Sequence, residues 1–284
     1  MVDMTAYTLH SGSSGNCIYV KTADAELLFD AGVSARAVEK SLNAIGTSLS
    51  NIKAIFVTHE HTDHVKGLEV ISKKHHIPTH MVGTSARAFI RTPDSSLLND
   101  LYLHPSEFSV KIGNTTVCSF ATPHDSAASV GYTVEHEQNG QTYKLGIATD
   151  IGHITEEIAQ ALIGSDSVII ESNHDVNMLL TGPYPYHLKL RILSDRGHLS
   201  NESCAEFTKI LAKNGTKNFV LAHLSKENNF APIAESTVRY ALSEFEDIHL
   251  AVALPSTPVL VGCDQSSEIH YDTDQYSLCR KYQR

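Results

Sequence analysis

The stretch His59-Glu60-His61-Thr62-Asp63-His64 sets three imidazoles and the carboxylate of Asp63 directly behind the apolar run Ala54-Ile55-Phe56-Val57. Histidine seldom builds cores, and crowding titratable rings costs electrostatic and desolvation energy unless a cation organises them. A solvated His-rich loop is the alternative; a metal site is the working expectation. In an extended turn, residues two apart point the same way. His59 and His61 can therefore bind one ion while Asp63 and His64, at the start of a helix, face a second. Further ligands must come from other strand ends. The sequence offers His124 in Thr122-Pro123-His124-Asp125, Asp150 in Ala148-Thr149-Asp150, and His223 in Leu221-Ala222-His223-Leu224. Taken singly, each would be an ordinary polar residue closing a strand.

The elements that would position these residues alternate along the chain. Strands are expected at Asn16 to Val20, Glu26 to Phe29, Ala54 to Val57, Thr79 to Val82, Thr115 to Phe120, Ser129 to Glu135, Leu145 to Ala148, Ser167 to Ile170, Phe219 to Ala222 and His249 to Val252. Helices are expected near Ala35 to Ala44, Val65 to His75, Thr155 to Leu162, Asn201 to Ala212 and Ile233 to Phe245. This is an α/β pattern with a mixed sheet. Leu27-Leu28-Phe29-Asp30-Ala31-Gly32 is echoed by Ile147-Ala148-Thr149-Asp150-Ile151-Gly152, each followed by a helix and a strand with a polar end. The echo suggests two similar halves packed face to face; chance likeness of βαβ units is the alternative.

The 284 residues are 42% hydrophobic, enough for a substantial core, and no linker divides them. One domain over residues 1–262 and a polar tail over 263–284 are expected. Met1 to Gly15 lacks a basic n-region and an apolar h-region, and no apolar run reaches about 18 residues. The expected location is the cytoplasm, without membrane association. Five scattered cysteines without a C-x-x-C pair indicate neither a disulfide framework nor a thiolate zinc site. The net charge of −10, from 22 basic and 32 acidic side chains, argues against a broad nucleic-acid surface but leaves room for a local phosphate site.

The order Asp30, His59-x-His61-x-Asp63-His64, His124, Asp150, His223 resembles the five motifs of the metallo-β-lactamase fold. The resemblance implies a four-layer αββα sandwich in which His59, His61 and His124 bind one metal, Asp63, His64 and His223 bind the other, and Asp150 bridges them. It places Asp30 behind the His motif as a hydrogen-bonding support. Two divalent ions about 3.5–4 Å apart lower the pKa of a shared water, and Asp63 and Asp150 are the carboxylates placed to orient it or take its proton. Mn²⁺, Zn²⁺ and Fe²⁺ all suit these ligands.

The substrate must be read from other segments. Ser13, Ser14, Gly15 and Asn16 lie in a small-residue loop that could line an anion pocket or form a turn before a strand. Ser200 and Asn201 stand at a helix start, fitting an N-cap or a phosphate contact. His187, Lys189 and Arg191 could hold a phosphodiester beside Tyr184 or Tyr186, or form a solvated basic helix. Ser-Gly-Ser-Ser-Gly-Asn, Thr-His-Glu-His-Thr-Asp-His, Glu-Ser-Asn-His-Asp and Gly-His-Leu-Ser-Asn are similar to segments of the bacterial YycJ (WalJ) group of metallo-β-lactamase-fold exonucleases. That likeness implies a metal-dependent 5′-to-3′ exonuclease acting on free 5′ ends of DNA, linked to repair or chromosome maintenance. By analogy with nuclease members of the fold, His198 is the candidate for contacting the scissile phosphate or protonating the leaving oxygen; capping the following helix is its alternative role. A phosphodiesterase for small cyclic phosphates or nucleotides and a non-catalytic metal-binding scaffold are the competing expectations. Oligomeric state is not encoded in any of these features.

Overall fold

A computed structural model of the chain describes residues 4–90 and 95–262. The expected tail at 263–284 lies outside the described residues. The first sheet contains β1 (Thr5–His10), β2 (Cys17–Lys21), β3 (Glu26–Phe29), β4 (Ile52–Phe56), β5 (Thr79–Val82) and β6 (Leu101–His104). The second contains β7 (Ser109–Ile112), β8 (Thr115–Thr122), β9 (Ser129–Gln138), β10 (Gln141–Ala148), β11 (Ser167–Glu171), β12 (Asn218–Ala222) and β13 (His249–Val252). A short β14 (Val259–Leu260) returns to the edge of the first sheet, giving the orders β14-β1-β2-β3-β4-β5-β6 and β13-β12-β11-β10-β9-β8-β7.

The packing follows from the period of the strands. Val20, Leu27, Phe29, Ala54 and Phe56 from the first sheet meet Val117, Val130, Tyr132, Ile147, Ile169 and Val220 from the second in one dry layer. The opposite face of the first sheet buries Leu28, Ile55 and Val57 against α1 (Ala35–Ala44), α2 (Thr62–Val65) and α3 (Leu68–His75), with α4 (Gly83–Phe89) near its end. The opposite face of the second buries Ile170, Phe219 and Leu221 under α5 (Glu156–Leu162), α8 (Asn201–Lys213) and α9 (Ala231–Ala241), while α6 (Val176–Thr181) and α7 (Tyr186–Ile192) lie between β11 and α8 in sequence. Two mixed sheets flanked by helices give the expected αββα sandwich. Both sheets are apolar on both faces, which is why β4 and β11 read as continuous hydrophobic runs rather than alternating ones.

Strand direction decides where the polar ends gather. β8 is antiparallel to β9 and β9 to β10, so β8 runs with β10, which is parallel to β11 and β12. Their carboxyl ends lie at one edge of the second sheet. In the first sheet β3 and β4 are parallel and likewise end together. The buried Tyr132 hydroxyl donates to Val57 O at 2.6 Å and Val130 N to Thr58 O at 3.2 Å, tying the end of β4 to the second sheet.

The helix expected over Val65 to His75 is broken into α2 and α3. Gly67 donates its N–H to Ala31 O at 2.8 Å, and a Cβ there would overlap the Val33 carbonyl, so the backbone turns aside at that point. The sequence echo is also present in three dimensions. Asp30 and Asp150, each at a strand end, adopt left-handed φ values of 62° and 59°. Gly32 and Gly152 each face a backbone carbonyl where a Cβ would intrude, those of Asp63 and Asp195 respectively. Among the described residues no helix is long and apolar enough to cross a membrane.

Candidate metal centre

Both sheets deliver their polar ends to one spot. From the first sheet, the segment after β4 brings His59, His61, Asp63 and His64; from the second, the ends of β8, β10 and β12 bring His124, Asp150 and His223. The ligand atoms of His59, His61 and His124 lie within 4.8 Å of one another, as do those of Asp63, His64 and His223 and those of His59, His64 and Asp150. Asp150 thus sits beside a member of each histidine set. Asp150 and His223, with a φ of 56°, hold a backbone conformation uncommon for residues with a side chain, at the points where ligand atoms converge.

The outer hydrogen bonds fix the rings. His64 Nδ1 lies 2.7 Å from Asp30 Oδ2, His223 Nδ1 2.7 Å from Glu171 Oε1, and His124 Nδ1 3.2 Å from Gly197 O. Carboxylates and carbonyls only accept, so each Nδ1 carries the proton and each Nε2 is left to turn inward, as metal-binding imidazoles are arranged. Thr58 Oγ1 donates to Asp30 Oδ2 at 2.9 Å and borders His59 Nδ1 at 3.0 Å, extending the scheme to His59. Asp30 also accepts Thr58 N–H at 2.8 Å. Both of its oxygens are occupied by supporting bonds.

Inside this shell, His59 Nε2, His223 Nε2 and Asp150 Oδ2 are buried without a hydrogen-bond partner. Buried polar atoms are nearly always satisfied, and three orphans in one nest of imidazoles and carboxylates match what divalent cations would satisfy. The residues present fit the metal.

Residues 26–224 match the family profile described as Beta-lactamase superfamily domain. The chain belongs to the metallo-β-lactamase superfamily. Among similar curated proteins, Exodeoxyribonuclease YycJ of Bacillus anthracis is 35% identical over 236 residues, covering 83% of this chain and 88% of that protein. Exodeoxyribonuclease WalJ of Streptococcus pneumoniae serotype 2 is 34% identical over 238 residues, covering 83% and 87%. Among solved structures, the metallo-β-lactamase fold protein YhfI from Bacillus subtilis superposes with a TM-score of 0.66 at 13% identity, covering 90% of this chain and 99% of that one. The chain is a hydrolase of the metallo-β-lactamase fold, a fold that binds divalent metal.

Next to the ligands the metallo-β-lactamase site opens into a pocket of about 280 Å³, lined among others by Ser13, Asp125, Tyr184, Leu188, Arg191 and His198. His198 donates Nδ1–H to Glu171 Oε1 at 2.8 Å, and its ring centroid stands 5.1 Å from that of His124 and 5.3 Å from that of His223. The remaining substrate expectations divide. Asn16 does not face open pocket: Gly12 N–H donates to its Oδ1 at 2.9 Å, and its Nδ2 lies 3.1 Å from His64 Nε2. Gly15, at φ 150°, packs against Gly32, while Ser14 is exposed at the loop tip.

Asn201 is fully enclosed, accepting from Ser172 Oγ at 2.7 Å and exchanging hydrogen bonds with Asn229, so no substrate reaches it. Ser200 caps α8, its Oγ accepting from Ser203 N at 3.2 Å. Lys189 Nζ donates to Leu180 O at 2.7 Å and Gly182 O at 2.8 Å; its ammonium closes the end of α6 instead of facing the pocket. His187 is exposed and does not line the pocket; Arg191 does.

Glu171 is the group that sequence reasoning left without a role. Fully buried at the end of β11, it accepts from His198 Nδ1, His223 Nδ1, Ile151 N at 2.8 Å and Leu199 N at 3.1 Å. A single acid closing the apolar run Val168-Ile169-Ile170 was its signal. Burial alone would raise its carboxyl, but the charge of His198 and the hydrogen bonds of both rings outweigh burial and hold it at about 2.

The same contest sets the charge of the candidate ligands. Burial opposes a charge on His64, yet Asp150 and Asp30 raise it to about 10; burial likewise opposes His223, which Asp150, Asp63 and Glu171 raise well above its ordinary value. Burial and the neighbouring His64 push His59 well below the ordinary histidine value. Without ions, protonated imidazoles balance the carboxylates. Because the raised His64 is charged at pH 7, a divalent ion must displace its proton. Proton release should therefore accompany metal binding at pH 7, and metal affinity should rise from pH 6.5 towards 10. Calorimetric titration of the chelated protein in buffers of different ionisation enthalpy measures the release; buffer-independent heats would contradict it.

Proposed function

We propose that the chain is a two-ion phosphodiesterase that removes nucleotides from the 5′ ends of DNA in the cytoplasm, serving repair or chromosome maintenance. The observation that carries this reading is the shell of outer acceptors, which leaves inward Nε2 atoms beside an open pocket. Two curated relatives at 34–35% identity bear the name exodeoxyribonuclease, which supports DNA as the substrate. The pocket, at about 280 Å³, lies near the lower end of the roughly 300–1,000 Å³ usual for ligand clefts. A single strand end suits that space better than a length of duplex.

In this reading His59, His61 and His124 would hold one ion and Asp63, His64 and His223 the other, with Asp150 available to both. When bound, the ions would supply the positive charge that activates a water and offsets charge gathering on the phosphodiester; Mn²⁺ or Zn²⁺ suits the donor set best, with Fe²⁺ also compatible. Asp63, pocket-lining and with Oδ2 3.6 Å from both His64 Nε2 and His223 Nε2, orients the attacking water and accepts its proton, a task shared with Asp150. His198 delivers a proton to the leaving oxygen. Burial opposes its charge, but Glu171 raises its pKa above the ordinary value and so favours the protonated ring, with Nδ1 committed to Glu171.

His198→Ala is expected to lower kcat by about 10²–10⁴-fold at unchanged metal content. Since the protonated ring is the acid, wild-type activity falls as pH rises through this raised pKa, and that alkaline limb should vanish in the variant. Loss of metal in His198→Ala would remove this role.

The function itself is tested with a 5′-labelled duplex and Mn²⁺ beside a chromogenic phosphodiester. Release of labelled mononucleotide supports the exonuclease; turnover of the small ester alone would reject it in favour of a small-molecule phosphodiesterase. Retained biological activity in Asp150→Asn would favour a non-catalytic metal-binding scaffold.

A further inference from the structure

Arg191 is the one arginine or lysine among the described residues that line the pocket, and it is already paired. Its Nε donates to Asp125 Oδ2, while the other oxygen of the same carboxylate, Oδ1, lies 3.3 Å from His124 Nε2. Asp125 therefore spans the gap between a ligand histidine and the guanidinium with two oxygens. A phosphate bound at the pocket mouth would present its own oxygens to the same guanidinium, two acceptors in place of one. We propose that Asp125 is an internal competitor for substrate phosphate: it holds Arg191 across the mouth of the free pocket, and a phosphate group of the substrate takes the guanidinium from it. The inference rests on the phosphodiesterase reading of the site.

Three features make the exchange feasible. The Arg191 side chain is 60% exposed, so it can turn without unpacking a core. The backbone beneath Asp125 is pinned, because Arg196 donates to His124 O through Nε at 2.9 Å and Nη2 at 2.6 Å, and to Ser126 O at 3.3 Å. Only side chains need to move. Finally, an exposed ion pair contributes little, whereas a guanidinium and a phosphate can make two parallel charge-assisted hydrogen bonds. The pocket also holds Asp63 and Asp150 beside Asp125, an acidic lining in which a phosphate needs Arg191 released.

Thymidine 5′-monophosphate is the probe, titrated into Mn²⁺-loaded wild type, Asp125→Asn, Arg191→Ala and the double variant, with metal content measured in each. Asp125→Asn should tighten binding about two- to fivefold, the scale of an exposed ion pair. Arg191→Ala should weaken it, and Asp125→Asn should change nothing further in that background, giving a coupled cycle. The KM for labelled duplex should shift in the same directions. Additive effects, unchanged binding in Asp125→Asn, or weaker binding together with lost metal would each overturn the proposal. Coupled nucleotide binding without cleavage of DNA would instead leave the exchange standing and remove the exonuclease reading, and DNA cleavage with an uncoupled cycle would do the reverse.

Discussion

Glu171→Ala is expected to weaken metal binding by about 10–100-fold and to lower the thermal midpoint by roughly 10 °C. The first figure is the usual cost of removing the outer partner of a metal-binding histidine. The second follows from count and burial. Four donors, His198 Nδ1, His223 Nδ1, Ile151 N and Leu199 N, converge on this one enclosed carboxylate. Breaking a buried charged network costs about 3–5 kcal/mol, and about 2–4 °C accompanies each kcal/mol in domains of 150–250 residues. The pH dependence has a definite sign. Folding depresses the Glu171 carboxyl from 4.5 to about 2, so its contribution is complete above 4.5 and disappears as pH falls through about 2. Acid melts should show wild type and variant converging over that window. Unaltered metal affinity in Glu171→Ala would remove its supporting role.

Gly32→Ala should be still more damaging to folding. The added Cβ would overlap the carbonyl oxygen of Asp63 and crowd Asn16 N, both backbone atoms. Neither can rotate away as a side chain would. Asn16 N–H donates to Asp63 O and Gly32 N–H to Asn16 O, each at 2.8 Å, so the clash sits within a closed set of hydrogen bonds joining the small-residue loop to the His motif. Overpacking costs about 1–3 kcal/mol where side chains can adjust; here the loss should exceed that range, with little soluble protein or with metal bound at reduced stoichiometry. Gly46→Ala is the control. Gly46 also has a positive φ, 83°, but a Cβ there meets nothing within 4 Å, so its cost should be confined to backbone strain. Equal melting temperatures for the two variants would show that the close approach does not constrain the site.

The contrast between these two residues explains which parts of the site were legible in the sequence. His124, Asp150 and His223 stand just past strand ends, which announce themselves as a polar residue closing an apolar run, and His59, His61, Asp63 and His64 are crowded into one motif after β4. Buried strands such as β4 and β11 were equally plain because both of their faces are covered. Glu171 has the same signature as Asp150 and opens the Glu-Ser-Asn-His-Asp segment, but neither pattern named its chemistry. Lys189 and Asn201 misled for a physical reason: residue type advertises charge or hydrogen-bonding capacity, while helix ends and buried amides consume that capacity locally. Arg191 and Asp125 are 66 residues apart, and no local pattern reveals that their charges cancel at the pocket. The strand β1 was not expected, because Thr5 and Thr8 interrupt the apolar pattern of its residues.

The chain delivers His59, His61, Asp63 and His64 from one sheet and His124, Asp150 and His223 from the other, so an ion bound among them also bolts the two halves of the sandwich together along their shared rim. Loading then acts on folding by mass action, adding about 2.7 kcal/mol when free ion stands at 100 times its dissociation constant. Chelation should loosen this rim before the dry layer around Tyr132, Phe29 and Phe56 responds, so the amides of Thr58 and Ile151 should lose exchange protection ahead of those in β9.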